Sequence, residues 1–118
     1  MSEHLRQPVV QTVEQHGQAF VVRLLGELDL YNADDVRSAL ADVAAQEPER
    51  VVVDLEEVTF IDSTGLGVLV EARTKLANRR AFLLSRPQVE TKRALEISGL
   101  AKQIPVYDTL EQALASAL

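Results

Sequence analysis

Cysteine is absent from the 118-residue chain, and aromatic residues make up only 4% of it. The lack of thiols excludes disulfides, cysteine nucleophiles and thiolate metal sites, and it fits a reducing compartment. Long apolar runs are also missing: nothing approaches the ~20 apolar residues of a membrane span, and the first residues lack the apolar segment of a signal peptide. The sequence therefore predicts a cytoplasmic protein whose fold depends on packing.

Positive charge is scarce, with 12 Lys and Arg against 18 Asp and Glu and a net charge of -6. The basic residues are scattered along the chain, so the long-range field would repel a phosphate backbone. We therefore expect no direct nucleic-acid binding, and any effect on transcription should pass through a protein partner. The length and the 47% hydrophobic content predict a single domain over residues 1–118, with an ordered core at about 8–118.

The N-terminal third contains the signals of a hairpin followed by a helix. Apolar, β-branched segments at 9–13 and 19–25 predict antiparallel strands, and Gly17 between them can adopt a positive φ. Asn32 is placed to cap a helix with apolar residues at helical spacing, and Pro48 should end it.

The middle of the chain has the pattern of a βαβ unit. Nearly continuous apolar runs at 51–55 and 81–84 predict central parallel strands that are buried on both faces. Residues 63–77 are long enough to form the crossover helix between them, and a right-handed crossover would place this helix on the sheet.

The C-terminal part predicts a third helix, a short strand and a final helix. Pro87 at an N1-like position and Gly99 as the C′ residue bracket the third helix. Its apolar positions are Val89, Ala94 and Ile97. A strand at 104–107 follows, and Asp108 begins a capping-box-like start to the last helix. Its apolar stripe should dock on the domain and comprises Leu110, Ala113, Leu114, Ala117 and Leu118. The fold class is therefore α/β, with a mixed sheet of four to five strands packed with about four helices.

A short polar turn with two glycines stands at the start of the crossover helix, with the sequence Asp62-Ser63-Thr64-Gly65-Leu66-Gly67. As an N-cap, Ser63 would accept hydrogen bonds from unpaired backbone N–H groups, and the helix dipole favours negative charge there. Asp62 either orients that hydroxyl or is itself the cap. Because a P-loop lysine is missing, we interpret Gly65 and Gly67 as allowing close backbone approach.

This motif resembles the phosphorylation site of the STAS family, and in particular that of the bacterial anti-sigma factor antagonists. Two other segments agree with the family pattern. Gly26-Glu27-Leu28-Asp29 is similar to the motif after its second strand, and Ile97-Ser98-Gly99-Leu100 is similar to its late motif. The order and spacing of the three segments match over nearly the whole chain.

The resemblance implies partner switching. An anti-sigma factor with serine kinase activity would phosphorylate the first hydroxyl residue of the motif, Ser63, and the unmodified protein would bind the anti-sigma factor and release the sigma factor. A PP2C-type phosphatase would restore the unmodified form. Thr64 remains the alternative phosphorylation site, one residue further into the helix. The predicted partner-binding residues are Asp29, Asp62, Ser63, Thr64, Gly65, Leu66 and Gly67.

Other interpretations remain open. Ser63 could be a plain helix cap, Asp29 could be only a turn residue, and the chain could be an unphosphorylated STAS adaptor of a transporter or sensor complex. A phosphohydrolase that uses Asp62 or Asp29 as nucleophile is disfavoured, because no supporting lysine or second acidic cluster follows. His4 and His16 lack a second ligand at metal spacing. We therefore expect a binding module and kinase substrate rather than an enzyme, without cofactor or metal.

Overall fold

The computed structural model describes residues 7–118 and contains one five-stranded mixed sheet with the strands in chain order. The strands are β1 (Val10–His16), β2 (Ala19–Leu28), β3 (Arg50–Ile61), β4 (Phe82–Ser85) and β5 (Val106–Tyr107). The helices are α1 (Ala33–Ala44), α2 (Ser63–Thr74), α3 (Val89–Ile97) and α4 (Leu110–Ala115), with 3-10 turns at Arg79–Ala81 and Leu100–Lys102. Only β1 is antiparallel to its neighbour. The predicted α/β class is confirmed. The residue His4, for which a metal site was considered, lies outside the described residues.

The predicted hairpin and βαβ unit are both present. Gly17 has a φ of 63° in the turn between β1 and β2, and α2 connects the parallel strands β3 and β4. The helix α1 ends at Ala44, before the predicted stop at Pro48.

The side chains of the inner strands alternate between two buried clusters, as the period of a β-strand requires. The larger cluster joins one sheet face to α1, α2 and α3, and includes Val22, Val53, Val36, Leu69 and Leu95. The smaller cluster lies on the other face under α4, and consists of Val21, Val52, Leu83, Leu110 and Ala113. The prediction that the last helix docks on the domain is therefore confirmed for Leu110, Ala113 and Leu114. It is wrong for Ala117 and Leu118, which follow the end of α4 at Ala115 and are exposed.

The predicted apolar face of α3 is wrong. Val89 and Ile97 are 75% and 80% exposed, and the buried residues are Thr91 and Leu95. The helix packs beside β3, where Thr91 Oγ1 donates a hydrogen bond to the carbonyl oxygen of Val58 at 3.3 Å. Because Thr91 is polar, the spacing of hydrophobic residues did not indicate that its position is buried.

The predicted ends of α3 and α4 are partly corrected. Gln88 is the N-cap of α3, so Pro87 precedes the cap instead of occupying N1, whereas Gly99 follows the C-cap with a φ of 83° as predicted. At α4 the cap is Thr109, not Asp108, because the Thr109 hydroxyl accepts from the backbone N–H of Gln112 at 3.1 Å.

An ion cluster covers part of the α4 side of the sheet. The carboxylate of Asp54, only 3% exposed, accepts hydrogen bonds from Arg23 at 2.8 Å, from Arg86 at 2.7 and 2.9 Å, and from Ser85 Oγ at 3.0 Å. Hydrogen bonding to Asp54 raises the pKa of Arg86, and hydrogen bonding from Arg23 lowers the pKa of Glu14. The hydrogen bonds to Asp54 tie β2 and β3 to β4 and the residue that follows it.

Asp54→Ala should destabilise the domain by about 3 kcal/mol, because it leaves two partly buried arginines without their shared carboxylate. This estimate is at the low end for a broken buried pair, since both arginines keep about a quarter of their side-chain surface exposed and can turn to solvent. Urea unfolding measures the change. The control is Asp42→Ala at an exposed α1 position, which should shift stability by less than about 0.5 kcal/mol; equal effects of both variants would contradict a stabilising cluster.

Candidate functional site

The carboxyl ends of β2 and β3 lie side by side, with Leu28 paired to Ile61 in the parallel ladder. The segments that follow these strands therefore meet at one edge of the sheet. This register brings together Asp29 and the motif that begins at Asp62, which are far apart in the sequence. The third segment of the predicted pattern, residues 97–100, lies at the end of α3, where Gly99 has a φ of 83° and Leu100 is buried in the core.

Asp62 is the N-cap of α2. Of the two alternatives for Asp62, the helix cap is confirmed, and the prediction that Ser63 caps the helix is wrong. Asp62 Oδ1 accepts from the backbone N–H of Gly65 at 2.9 Å, and its Oδ2 accepts from the N–H of Leu30 at 3.2 Å. The Asp62 N–H donates to the carbonyl oxygen of Leu28 at 3.1 Å. A carboxylate can reach both donors at once, which a single hydroxyl at position 63 could not do.

Ser63 is the first residue of α2 and is exposed. Within residues 7–118, its hydroxyl forms no hydrogen bond, whereas Thr64 is half-buried one position further on. The helical ladder begins only at Leu66, whose N–H donates to the Asp62 carbonyl oxygen at 3.0 Å. The Ser63 hydroxyl is thus accessible. It lies at the N-terminus of a helix, where the first backbone N–H groups have no partner within the helix.

Gly65 and Gly67 have different roles, and the sequence interpretation holds only for Gly65. A Cβ on Gly65 would lie 2.7 Å from Leu28 Cγ, 2.8 Å from the Leu28 carbonyl oxygen and 3.1 Å from Ile61 Cγ2. A Cβ on Gly67 would meet nothing within 4 Å. The first turn of α2 therefore packs directly against the end of β2 at Gly65, and the same explanation is wrong for Gly67.

The loop between β2 and α1 is shaped by two side chains. Asp29 Oδ1 accepts from the N–H groups of Tyr31 and Asn32 at 3.0 and 3.3 Å. Asn32 occupies the N-cap position of α1 but does not cap it: its Oδ1 accepts from the Asp29 N–H at 2.9 Å, and its Nδ2 donates to the Glu27 carbonyl oxygen at 2.5 Å. Asp29 is therefore a turn residue, whatever else it contacts.

The same loop exposes two large apolar side chains that the sequence analysis missed. Leu30 is 69% exposed and Tyr31 is 84% exposed. The sequence signal that could have indicated them is two consecutive apolar residues in a polar turn, between Asp29 and Asn32. Because the N–H of Leu30 is bound to Asp62, these residues adjoin the start of α2.

Sequence comparison assigns the family of this chain. The model of the STAS domain matches residues 10–113. The chain belongs to the STAS domain family. Its STAS domain is 36% identical over 105 residues to the anti-sigma F factor antagonist of Paenibacillus polymyxa, covering 86% of the chain and 89% of the relative. It is 33% identical to the anti-sigma-F factor antagonist RsfB of Mycobacterium tuberculosis, covering 90% and 87%.

A solved structure agrees with the architecture of this STAS domain. The crystal structure of an anti-sigma factor antagonist from Mycobacterium paratuberculosis superposes with a TM-score of 0.82 at 35% identity, covering 87% of this chain and 88% of the other.

The carboxylates at this edge of the STAS domain are engaged in hydrogen bonds to the backbone. Both Asp62 oxygens accept backbone N–H groups, and Asp29 Oδ1 accepts two more. Within residues 7–118, no group of three or more His, Asp and Glu is placed to hold a metal ion. In the same range, every helix is too short or too polar to cross a membrane. Neither carboxylate is presented as an uncommitted nucleophile.

Gly65→Ala should destabilise the domain by about 1–3 kcal/mol, because the added methyl must displace Leu28 or the backbone of β2. Gly67→Ala is the matched control in the same helix and should stabilise by about 0.5–1 kcal/mol, since its Cβ meets open space. Thermal unfolding of both variants gives the comparison. Equal effects would contradict the close packing between α2 and β2.

Proposed function

We propose that this STAS domain is an anti-sigma factor antagonist that is switched by phosphorylation of Ser63. The unmodified form binds an anti-sigma factor with serine kinase activity and releases the sigma factor, and a PP2C-type phosphatase reverses the modification in the cytoplasm. The observation that carries this proposal is an exposed Ser63 hydroxyl without a hydrogen bond in the described residues, beside the Asp62 cap. The similarity to curated anti-sigma factor antagonists supports the partner class.

The geometry favours Ser63 over Thr64 as the modified residue. Ser63 is exposed, whereas Thr64 is half-buried in the first turn. A kinase must bring the terminal phosphate of ATP to the attacking hydroxyl, so the exposed side chain at the helix start is the accessible one. The partner-binding surface then contains Ser63 with its neighbours Asp62 and Thr64, together with Asp29 and the segment Gly65–Gly67.

The fold can accept a phosphate at Ser63. The group adds about -1.5 to -2 charge, and a helix N-terminus stabilises negative charge by roughly 0.3–1 kcal/mol. The N–H groups of Ser63 and Thr64 precede the helical ladder, which begins at Leu66, and they are available as donors, whereas the N–H of Gly65 is bound to Asp62. Phosphorylation should therefore leave the domain folded, and the switch must act on binding.

At an interface the same charge has the opposite effect. One like-charge pair at ~4 Å, with an effective dielectric constant of ~20, opposes association by about 4 kcal/mol, or nearly three decades in affinity. This repulsion exceeds the stabilisation by the helix dipole several times. The phosphate therefore acts as an off-signal for binding without disrupting the fold.

A STAS adaptor without a phosphorylation switch is the second candidate, and it would use the same docking edge. The two candidates differ in chemistry, because the Ser63 hydroxyl of an adaptor would contact the partner without accepting a phosphate. A kinase assay separates the two functions directly.

Incubation with ATP and the anti-sigma factors encoded by the source genome should phosphorylate the wild-type protein on Ser63, as located by peptide mass mapping. Ser63→Ala should abolish incorporation, keep the fold and retain binding, because only an exposed hydroxyl is removed. Since Ser63 is not the cap, its loss should cost well below the ~1 kcal/mol of a lost N-cap.

The matched control is Thr64→Ala, which should be phosphorylated as efficiently as the wild type. Incorporation that persists in Ser63→Ala and disappears in Thr64→Ala would move the switch to Thr64. Binding to an anti-sigma factor without incorporation in any variant would favour the adaptor.

A further inference from the structure

Leu30 and Tyr31 form an apolar tip on the loop between β2 and α1. Single exposed apolar residues are common on protein surfaces and need no explanation. Here two adjoin, and Tyr31 has the largest exposed fraction, 84%, among the exposed large hydrophobic residues of the described chain. Tyrosine is enriched among the residues that dominate binding energy in protein interfaces.

The backbone of this tip is fixed by hydrogen bonds. The N–H of Leu30 donates to Asp62 Oδ2 at 3.2 Å, and the N–H of Tyr31 donates to Asp29 Oδ1 at 3.0 Å. An anchor that is already ordered loses less conformational entropy on binding, so more of its burial appears as affinity. These hydrogen bonds hold the backbone of the tip in a conformation that exposes the side chains of Leu30 and Tyr31.

The chain segments that form the tip and the neighbouring helix are acidic. In the segments 27–37 and 62–71, the acids are Glu27, Asp29, Asp34, Asp35, Asp62 and Glu71. The one cation in these segments is Arg37, and it forms ion pairs with Asp34 and Glu71. The tip therefore belongs to an acidic part of the chain, which favours a partner surface of the opposite sign.

We infer that the Leu30–Tyr31 tip is the apolar anchor of this docking edge, and that it inserts into an apolar pocket with a basic rim on the anti-sigma factor. This inference rests on the proposed function and adds the residues that determine partner specificity. Asp62 fixes the tip relative to Ser63, because it binds the tip at Leu30 and the first turn of α2 at Gly65. The basic rim contacts the tip, whereas Ser63 faces the nucleotide phosphates in the kinase site of the partner, so a phosphate on Ser63 meets charge of its own sign.

The first test is the affinity of Tyr31→Ala and Leu30→Ala for the anti-sigma factor that binds the wild type, measured by isothermal titration calorimetry. We expect about tenfold or greater weakening for Tyr31→Ala, and an unchanged melting temperature because the side chain is exposed. The matched control is Ile97→Ala, an apolar residue that is 80% exposed at the end of α3, which should change affinity by less than about twofold. Wild-type affinity in both tip variants would overturn the inference.

The second test concerns the charge of the partner surface. Wild-type affinity should fall as salt rises from ~50 to ~300 mM, since screening weakens attraction between exposed charges. Glu27→Gln combined with Asp35→Asn should bind more weakly at low salt and show a flatter salt dependence. Affinity that is independent of salt, or that rises with it, would overturn the basic rim.

The outcomes separate this inference from the proposed function. If the wild type neither binds any anti-sigma factor of the source genome nor is phosphorylated by one, both fail. If the wild type binds and is phosphorylated on Ser63 while Tyr31→Ala binds equally well, only the tip inference fails.

Discussion

The two hydrogen bonds accepted by the Asp62 carboxylate are the constraint on which the site at the carboxyl ends of β2 and β3 depends. One oxygen caps α2 at Gly65, and the other holds the neighbouring loop at Leu30. The close packing of Gly65 against Leu28 requires the same approach between α2 and β2. The position of Ser63 is therefore set by contacts that do not involve its own side chain. Its hydroxyl can be modified without the loss of any of these contacts.

This division of roles explains how one residue can be modified without a change of fold. The cap, the close glycine contact and the loop hydrogen bonds belong to Asp62, Gly65 and Asp29, so a phosphate on Ser63 replaces none of them. Away from this edge, packing on both sheet faces and the Asp54 ion cluster hold the strands. In the function that we propose, the domain is a rigid scaffold and regulation comes from the charge on Ser63.

Sequence periodicity predicted the α/β class, the hairpin and the βαβ unit, because their apolar patterns are long and regular. The resemblance to STAS proteins located the Asp62–Gly67 segment and Asp29. The buried face of α3 was missed because one of its two buried residues, Thr91, is polar. The cap was assigned to Ser63 because the sequence does not reveal which of two adjacent polar residues has extended backbone, and Asp62 does, with a ψ of -178°. The Leu30–Tyr31 tip depends on a hydrogen bond between residues 32 positions apart.

The most direct test of a rigid, charge-operated switch is to measure binding and stability on the same samples. Unmodified and Ser63-phosphorylated protein are titrated against the anti-sigma factor by calorimetry, and both are melted under the same conditions. The account predicts that phosphorylation weakens binding by about two to three decades while the melting temperature stays within a few degrees. Equal affinities, or a phosphorylated domain that has lost its cooperative melting transition, would contradict it.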